Sequence, residues 1–265
     1  MGKLKSLALA AFTAVAITAC SSGKTEIEQA SEQELQNKAQ AYLQKNDYRD
    51  AQRYLEALDT RFAGGTYAEQ TKLNLIYTAY KTADYTQALV TADKFLQMYP
   101  QSQYLDYVLY MAALSNMAMG DNFLQDALNV DRSTRETTTS KTAFSNFQTL
   151  VQHFPSSPYA ADAIARMAYI KDMLARHELK IAQFYAKRHA WVAVSNRVTG
   201  MLQSYPDTAS TLKALPLLKK AYDEMGLTDL SKQTETLIQA NQGKNITEAE
   251  KPKESLLSLP SWLKF

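Results

Sequence analysis

Asp47-Tyr48-Arg49-Asp50-Ala51 and, 37 residues further on, Asp84-Tyr85-Thr86-Gln87-Ala88 decide the reading of this chain. The same offset carries Phe62 onto Tyr99 and Tyr67 onto Tyr104. The aromatic returns with a proline behind it at Tyr99-Pro100, Phe154-Pro155 and Tyr205-Pro206. Counting back four residues from Phe62, Tyr99, Phe154 and Tyr205 gives Leu58, Phe95, Leu150 and Met201. Seven back are Leu55, Ala92, Phe147 and Val198, and eleven back are Ala51, Ala88, Ala143 and Val194. Fourteen back are Tyr48, Tyr85, Ser140 and Trp191. Offsets of 0, 4, 7, 11 and 14 stay on one face of an α-helix. Each unit therefore ends in an amphipathic helix, and in three units a proline stops it.

Composition agrees with a helical array. The 265 residues include 8 Gly and 7 Pro, where average usage gives roughly 19 and 13. So few turn residues exclude an all-β sandwich or barrel with a turn every several residues. Hydrophobic residues make up 46% and charged residues 21%, a composition that can build a core. The single cysteine excludes an internal disulfide framework.

The units resemble the tetratricopeptide repeat, a helix pair with a small residue, an aromatic and a closing proline at fixed places. Upstream helices fit in part: Tyr42, Ala79 and Tyr185 lie six before Tyr48, Tyr85 and Trp191, with Leu75 and Ile181 four further back. A weaker last unit reads Leu217, Ala221, Gly226, Leu227, Leu230 and Leu237. Prolines 55 and 51 residues apart require insertions or long helices in the third and fourth units. The expected fold is all-α, a right-handed superhelical array of about five tetratricopeptide-like helix pairs. One helix pair cannot bury its apolar stripe alone, and stacked neighbours bury a continuous core. The N-terminal repeats are placed at residues 31–115 and the C-terminal repeats at 116–240, with an inserted loop at 120–139. The stretch from Tyr159 to about Arg188 is read as two helices meeting near Arg176-His177, and residues 241–265 as a mostly disordered tail.

The N-terminus reads differently. Lys3 and Lys5 precede an apolar run, Leu7 to Ile17, too short to span a bilayer. It fits the apolar region of a secretory signal peptide over residues 1–19. The run ends Ile17-Thr18-Ala19-Cys20, which resembles a bacterial lipobox. That resemblance implies a mature N-terminus at Cys20 carrying S-diacylglycerol and an N-acyl chain, followed by a lipidated linker to residue 30. The alternative is an ordinary cleaved signal with a chance cysteine. Ser21 stands where lipoprotein sorting would read an aspartate for inner-membrane retention, so the resemblance implies an outer-membrane lipid anchor facing the periplasm. Removing residues 1–19 takes away two lysines and no acid, leaving 27 basic and 27 acidic residues. A neutral chain has no electrostatic footprint for nucleic acid.

Several strings are similar to the helical lipoprotein family of the outer-membrane β-barrel assembly machinery, the BamD or competence-lipoprotein family. They include Val130-Asp131-Arg132-Ser133-Thr134-Arg135, Ala190-Trp191-Val192-Ala193-Val194-Ser195-Asn196-Arg197-Val198 and Asp106-Tyr107-Val108-Leu109-Tyr110-Met111. The similarity covers residues 20 to 240. It implies a scaffold that binds the periplasmic domains of BamA, other assembly lipoproteins and unfolded outer-membrane proteins. Arg197 matches the family arginine at the BamA contact, its alternative being an exposed helix arginine. Asp131, Arg132 and Arg135 are further partner-contact candidates, against a solvated turn of self-paired charges. Tyr77, Tyr80, Tyr107 and Tyr110 are candidates for a substrate groove, against inter-repeat core. The family's Tyr-Pro-Phe-Gly after the first unit is replaced here by Phe62-Ala63-Gly64-Gly65, which predicts a looser first corner. The apolar tail end, Leu256 to Phe265, either folds back or docks on a partner.

Nothing in the sequence argues for an enzyme, a cofactor or a metal. His153, His177 and His189 have no metal-ligand spacing. No nucleophile-elbow, Walker or dinucleotide-binding motif occurs, and acylation would consume the only cysteine. A peptidoglycan-associated repeat lipoprotein is the alternative function.

Overall fold

The structure, a computed structural model, describes residues 26–121 and 133–252. Ten helices of 13 to 27 residues order them. They are α1 (Glu32–Gln44), α2 (Tyr48–Arg61), α3 (Ala68–Lys81), α4 (Tyr85–Met98) and α5 (Leu105–Asp121), then α6 (Ser133–His153), α7 (Ala160–Ala186), α8 (Trp191–Ser204), α9 (Ala209–Glu224) and α10 (Thr228–Ala240). No strand occurs among the described residues. The chain forms two compact units, one through Ser115 and one from Asn116.

The periodic positions form the core. Ala51, Ala88, Ala143 and Val194 are fully buried, and so are Leu55, Ala92, Phe147 and Val198. Leu58, Phe95, Leu150 and Met201 are at most 2% exposed. In the first unit α1 packs on α2, α2 on α3 and α3 on α4. In the second, α6 packs on α7, α7 on α8, α8 on α9 and α9 on α10. Contact between α7 and α9 adds the stacking of first helices from successive pairs. Ala175, Leu179 and Ala182 of α7, Val194, Val198 and Met201 of α8, and Ala214, Leu218 and Ala221 of α9 form one apolar cluster. The alanines hold the helix axes close, and the larger side chains fill the spaces between them.

The corners repeat as the core does. The N–H groups of Phe62, Tyr99, Phe154 and Tyr205 each donate to the carbonyl four residues back, closing their helices. Each helix end is followed by a turn, with Gly65, Ser102, Ser157 and Thr208 donating to those same aromatic carbonyls. The first corner thus keeps the common turn, although Ala63 stands where the others have proline. It is also braced: Glu32 Oε1 accepts from the Tyr67 N–H at 3.1 Å, and the Tyr67 hydroxyl donates to Gln33. The expectation of a loosened corner does not hold, because Gly65 lets the Glu32 carboxylate lie directly against the backbone. Within four pairs the corner residue is left-handed: Asn46, Ala83, His189 and Gly226, with φ of 57°, 61°, 55° and 71°. Asp47 and Asp84 then cap the next helices by accepting from the Asp50 and Gln87 N–H groups at 3.3 and 3.0 Å.

Four expectations need correction. The stretch read as two helices is one helix, α7, of 27 residues, about 40 Å long at 1.5 Å per residue. Arg176-His177-Glu178 contains no glycine, proline or cap, so nothing breaks it. The segment read as a loop at 120–139 is helical at Ser133–Thr139, where α6 begins. In the last pair Leu227, Leu230 and Leu237 are exposed, and Ser231 and Thr234 face inward. The Ser231 hydroxyl donates to Asp223 of α9 and fixes that rotation of α10. Finally, residues 244–252 have no regular structure, yet they are tied down: Glu248 pairs with Arg176 at 2.6 Å, and the Ala249 N–H donates to Asp172 at 2.6 Å.

Candidate functional site

The second unit carries a groove of about 440 Å³ between α6, α7 and α8. Its position follows from helix periodicity. Val194, Val198 and Met201 turn one face of α8 into the core. Asn196, Arg197, Gly200 and Ser204 consequently line the groove on another face. Lys141 of α6 and Glu178 and Tyr185 of α7 form the opposing walls. Gly200 has open space where a Cβ would stand, so a side chain there would intrude into the groove and not into the core.

Arg197 lies at the centre. Its Nη1 donates to Glu178 Oε2 at 3.1 Å, joining α8 to α7. The arginine side chain is 43% exposed and the glutamate 22%. A guanidinium has five donors in a rigid fork, so the Glu178 contact orients Arg197 while the exposed part of the fork remains open to a further carboxylate. Burial raises the Tyr205 hydroxyl above the usual tyrosine range, and the nearby Glu178 carboxylate adds to it. Half-burial holds the His177 imidazole below the usual histidine range. The groove thus offers a cation held on α8 beside the half-buried Tyr185 and Tyr205 rings. It has the chemistry to hold an acidic polypeptide surface. Among the described residues no group of His, Cys, Asp and Glu is arranged to hold a metal ion.

Trp191 anchors the start of α8. Its ring meets His189 edge-on at 5.4 Å, and Lys220 of α9 lies 5.3 Å from its centre. The tryptophan therefore sets the α8 register that carries Arg197, and it is not itself in the groove.

The tyrosines expected in a substrate groove are placed otherwise. Tyr77, Tyr107 and Tyr110 are 4%, 2% and 4% exposed. Tyr77 meets Tyr48 edge-on at 5.7 Å, and burial, followed by its hydrogen bond with Tyr48, raises it far above the usual tyrosine range. Tyr80 is half-buried against Tyr85 with ring centres 5.7 Å apart. The reason is the position of their helices: ten side chains of α3 are buried, and on α5 Tyr107, Val108 and the run from Tyr110 to Leu114 are buried as well, leaving little of a groove-facing side. Tyr77, Tyr107 and Tyr110 are core residues and present almost no accessible surface. Cys20, Asp131 and Arg132 lie outside the described residues, and Arg135 is in the first turn of α6. Glu178, Lys141 and Tyr205 were missed as site residues. Tyr205 carried a signal as a helix-closing aromatic, but Glu178 meets Arg197 only through the packing of α7 on α8.

Comparison with known proteins gives the family. The family model described as outer membrane lipoprotein, YfiO, matches residues 28–237. The chain is 61% identical to the outer membrane protein assembly factor BamD of Pasteurella multocida over 254 residues, 96% of this chain and 97% of the relative. It is 56% identical to the BamD of Haemophilus influenzae over 261 residues, 98% of this chain and 99% of the relative. With the BamD of Vibrio cholerae it shares 40% over 222 residues, 84% and 92% of the two chains. With helix pairs throughout and similarity along nearly its whole length, the chain belongs to the YfiO family of outer membrane lipoproteins, the family of the BamD assembly factors.

Proposed function

We propose that this chain is a non-catalytic scaffold of outer-membrane protein assembly, tethered to the periplasmic face of the outer membrane by lipid on Cys20. The relatives at 61% and 56% identity are outer membrane protein assembly factors by name. No helix among the described residues is long and apolar enough to cross a membrane. Anchoring then rests on Cys20, where S-diacylglycerol with an N-acyl chain would give a stable attachment that one chain alone would not.

The observation that carries the scaffold reading is the half-exposed Arg197 held by Glu178 in the groove of the second unit. In this reading the groove receives a carboxylate from the periplasmic domains of BamA. Asp131, Arg132 and Arg135, which precede or open α6, contribute a second contact. Unfolded outer-membrane proteins and other assembly lipoproteins are the remaining partners, met through surfaces other than the buried tyrosines. Its mechanism is binding, with any change of state arising from a partner's preference for one conformation.

The test is a pulldown of the anchored chain after mild detergent extraction, comparing wild type with Arg197→Ala and Arg197→Lys. Loss of a desolvated charged hydrogen bond costs about 2 kcal/mol or more, roughly a thirty-fold loss of affinity. BamA is expected with wild type and strongly reduced with Arg197→Ala. Arg197→Lys should be intermediate, because lysine keeps the charge and loses the fork. Equal recovery with all three would refute the contact, and no assembly subunit with wild type would refute the scaffold reading. Mass spectrometry of the N-terminal peptide tests the anchor, and unmodified Cys20 in the membrane fraction would exclude it.

A further inference from the structure

Residues 244–252 have no helix or strand of their own, yet consecutive residues within them are held by opposite charges on the second unit. The Glu248 carboxylate takes Arg176 Nη1 on one oxygen at 2.6 Å and Lys213 Nζ on the other at 3.4 Å. The next residue, Ala249, donates its backbone N–H to Asp172 Oδ2 at 2.6 Å. Asp172 and Arg176 are one helical turn apart on α7, and Lys213 is on α9. Asp172 is 8% exposed. A carboxylate so covered needs its hydrogen bonds, and a backbone amide of the tail supplies one of them.

The two sides of this contact differ in rigidity. α7 and α9 are fixed by Ala175, Leu179, Ala214 and Leu218, buried where the helices meet α8. The tail has no such internal support, so its course depends on the helices. We propose that α7 and α9 carry a docking site for an extended segment that presents one carboxylate followed by a backbone N–H, and that residues 244–252 of this chain are its tethered occupant. The site reads an acidic side chain with two cations and the following peptide N–H with a carboxylate. The second contact uses backbone and is blind to side-chain identity, so specificity lies at the position filled by Glu248. Arg176 first, and then Lys213, hold the Glu248 carboxyl below the usual glutamate range, which agrees with an ionised occupant. An occupant on a short tether acts at an effective concentration near millimolar. A partner segment presenting the same two groups must displace it, and binding at this face is coupled to release of the tail.

Hydrogen exchange of the full chain tests the docking. The Ala249 amide is expected to be protected in wild type. Its exchange should speed up about ten-fold or more in Glu248→Ala and in Arg176→Glu, the size of one charge-assisted hydrogen bond. Protection should return in the double variant Arg176→Glu with Glu248→Arg, which restores the pair reversed. A chain ending at Gly243, checked for unchanged helicity, should bind a synthetic peptide of residues 244–252. The same peptide with Glu248→Ala should bind about ten-fold more weakly. Free exchange at Ala249 in wild type, or protection indifferent to both single variants, overturns the proposal. So does protection that disappears on dilution, which would place the tail of one copy on another. Should the shortened chain fail to fold, the exchange data on full-length variants decide alone.

Discussion

Replacing Gly65 by alanine should destabilise the first unit, and the sign of that effect should reverse when Glu32 is removed. A Cβ built on Gly65 would stand 2.1 Å from Glu32 Oε1 and 2.6 Å from its Cδ. That same oxygen accepts the Tyr67 N–H. The glutamate is flexible and moves aside, so the cost is its hydrogen bond and not a backbone clash. A hydrogen bond to a charged group contributes about 1.5–3 kcal/mol, and the half-exposed setting favours the lower end. Against it stands a gain of about 0.4–1 kcal/mol from a less flexible unfolded chain, since Gly65 is not among the residues with positive φ. The net loss is about 1 kcal/mol, a fall in Tm of about 2–4 °C for a chain of this size. In Glu32→Ala the obstacle is absent and the corner turn from Gly65 to Phe62 remains. There Gly65→Ala should stabilise by about 0.4–1 kcal/mol. Urea and thermal unfolding of the four proteins give the coupling directly. Equal effects of Gly65→Ala in both backgrounds would refute the reasoning, because the cost would then arise from the backbone and not from the carboxylate.

Two further outcomes follow from the corners and the ion pairs. Ala83→Gly should raise stability by about 0.5–1 kcal/mol, because Ala83 is held at φ 61° where a Cβ is unfavourable. Gly226→Ala, at φ 71° with open space around it, should lower stability by a similar amount, and thermal unfolding of both variants checks the pair. Acid should weaken the second unit. Lys171 holds Asp207 below the usual aspartate range, and the Ser231 hydroxyl, with Lys219 second, does the same for Asp223. A carboxylate depressed in the folded state contributes stability above its ordinary value, and that contribution is lost as pH falls through the folded value. The protection of α10 amides, measured relative to their intrinsic exchange rate at each pH, should therefore fall as pH drops through about 4 and below, with a smaller pH effect in Ser231→Ala. An α10 indifferent to both would show that the Asp223–Ser231 contact does not hold it.

The positions counted back from Phe62, Tyr99, Phe154 and Tyr205 were legible because a buried helix face imposes its spacing on the sequence. The sense of the prolines was legible only in part. Pro100, Pro155 and Pro206 follow closing aromatics and end helices, but Pro216 lies inside α9 on its exposed side. Local sequence does not state whether flanking contacts will hold a helix through a proline, and here Ala214, Leu215 and Leu218 do so. The tyrosines failed for a related reason. Tyrosine suits a groove and a core equally, and the choice depends on how many neighbours its helix has.

Family resemblance alone pointed to Arg197, while the sequence by itself determined an all-helical chain of stacked pairs and the ends of most corner helices. These rest on period, caps and turn chemistry, all of which act over a few residues. Only the tertiary structure decided that α7 runs unbroken, that Glu178 meets Arg197, and that Tyr77, Tyr107 and Tyr110 are core. It likewise decided that Glu248 and Ala249 lie on Arg176 and Asp172, 72 and 77 residues away, and that Glu248 also meets Lys213, 35 residues away. Contacts between residues so far apart leave no periodic trace in the chain, because they are set by which helix faces remain uncovered once the core has formed.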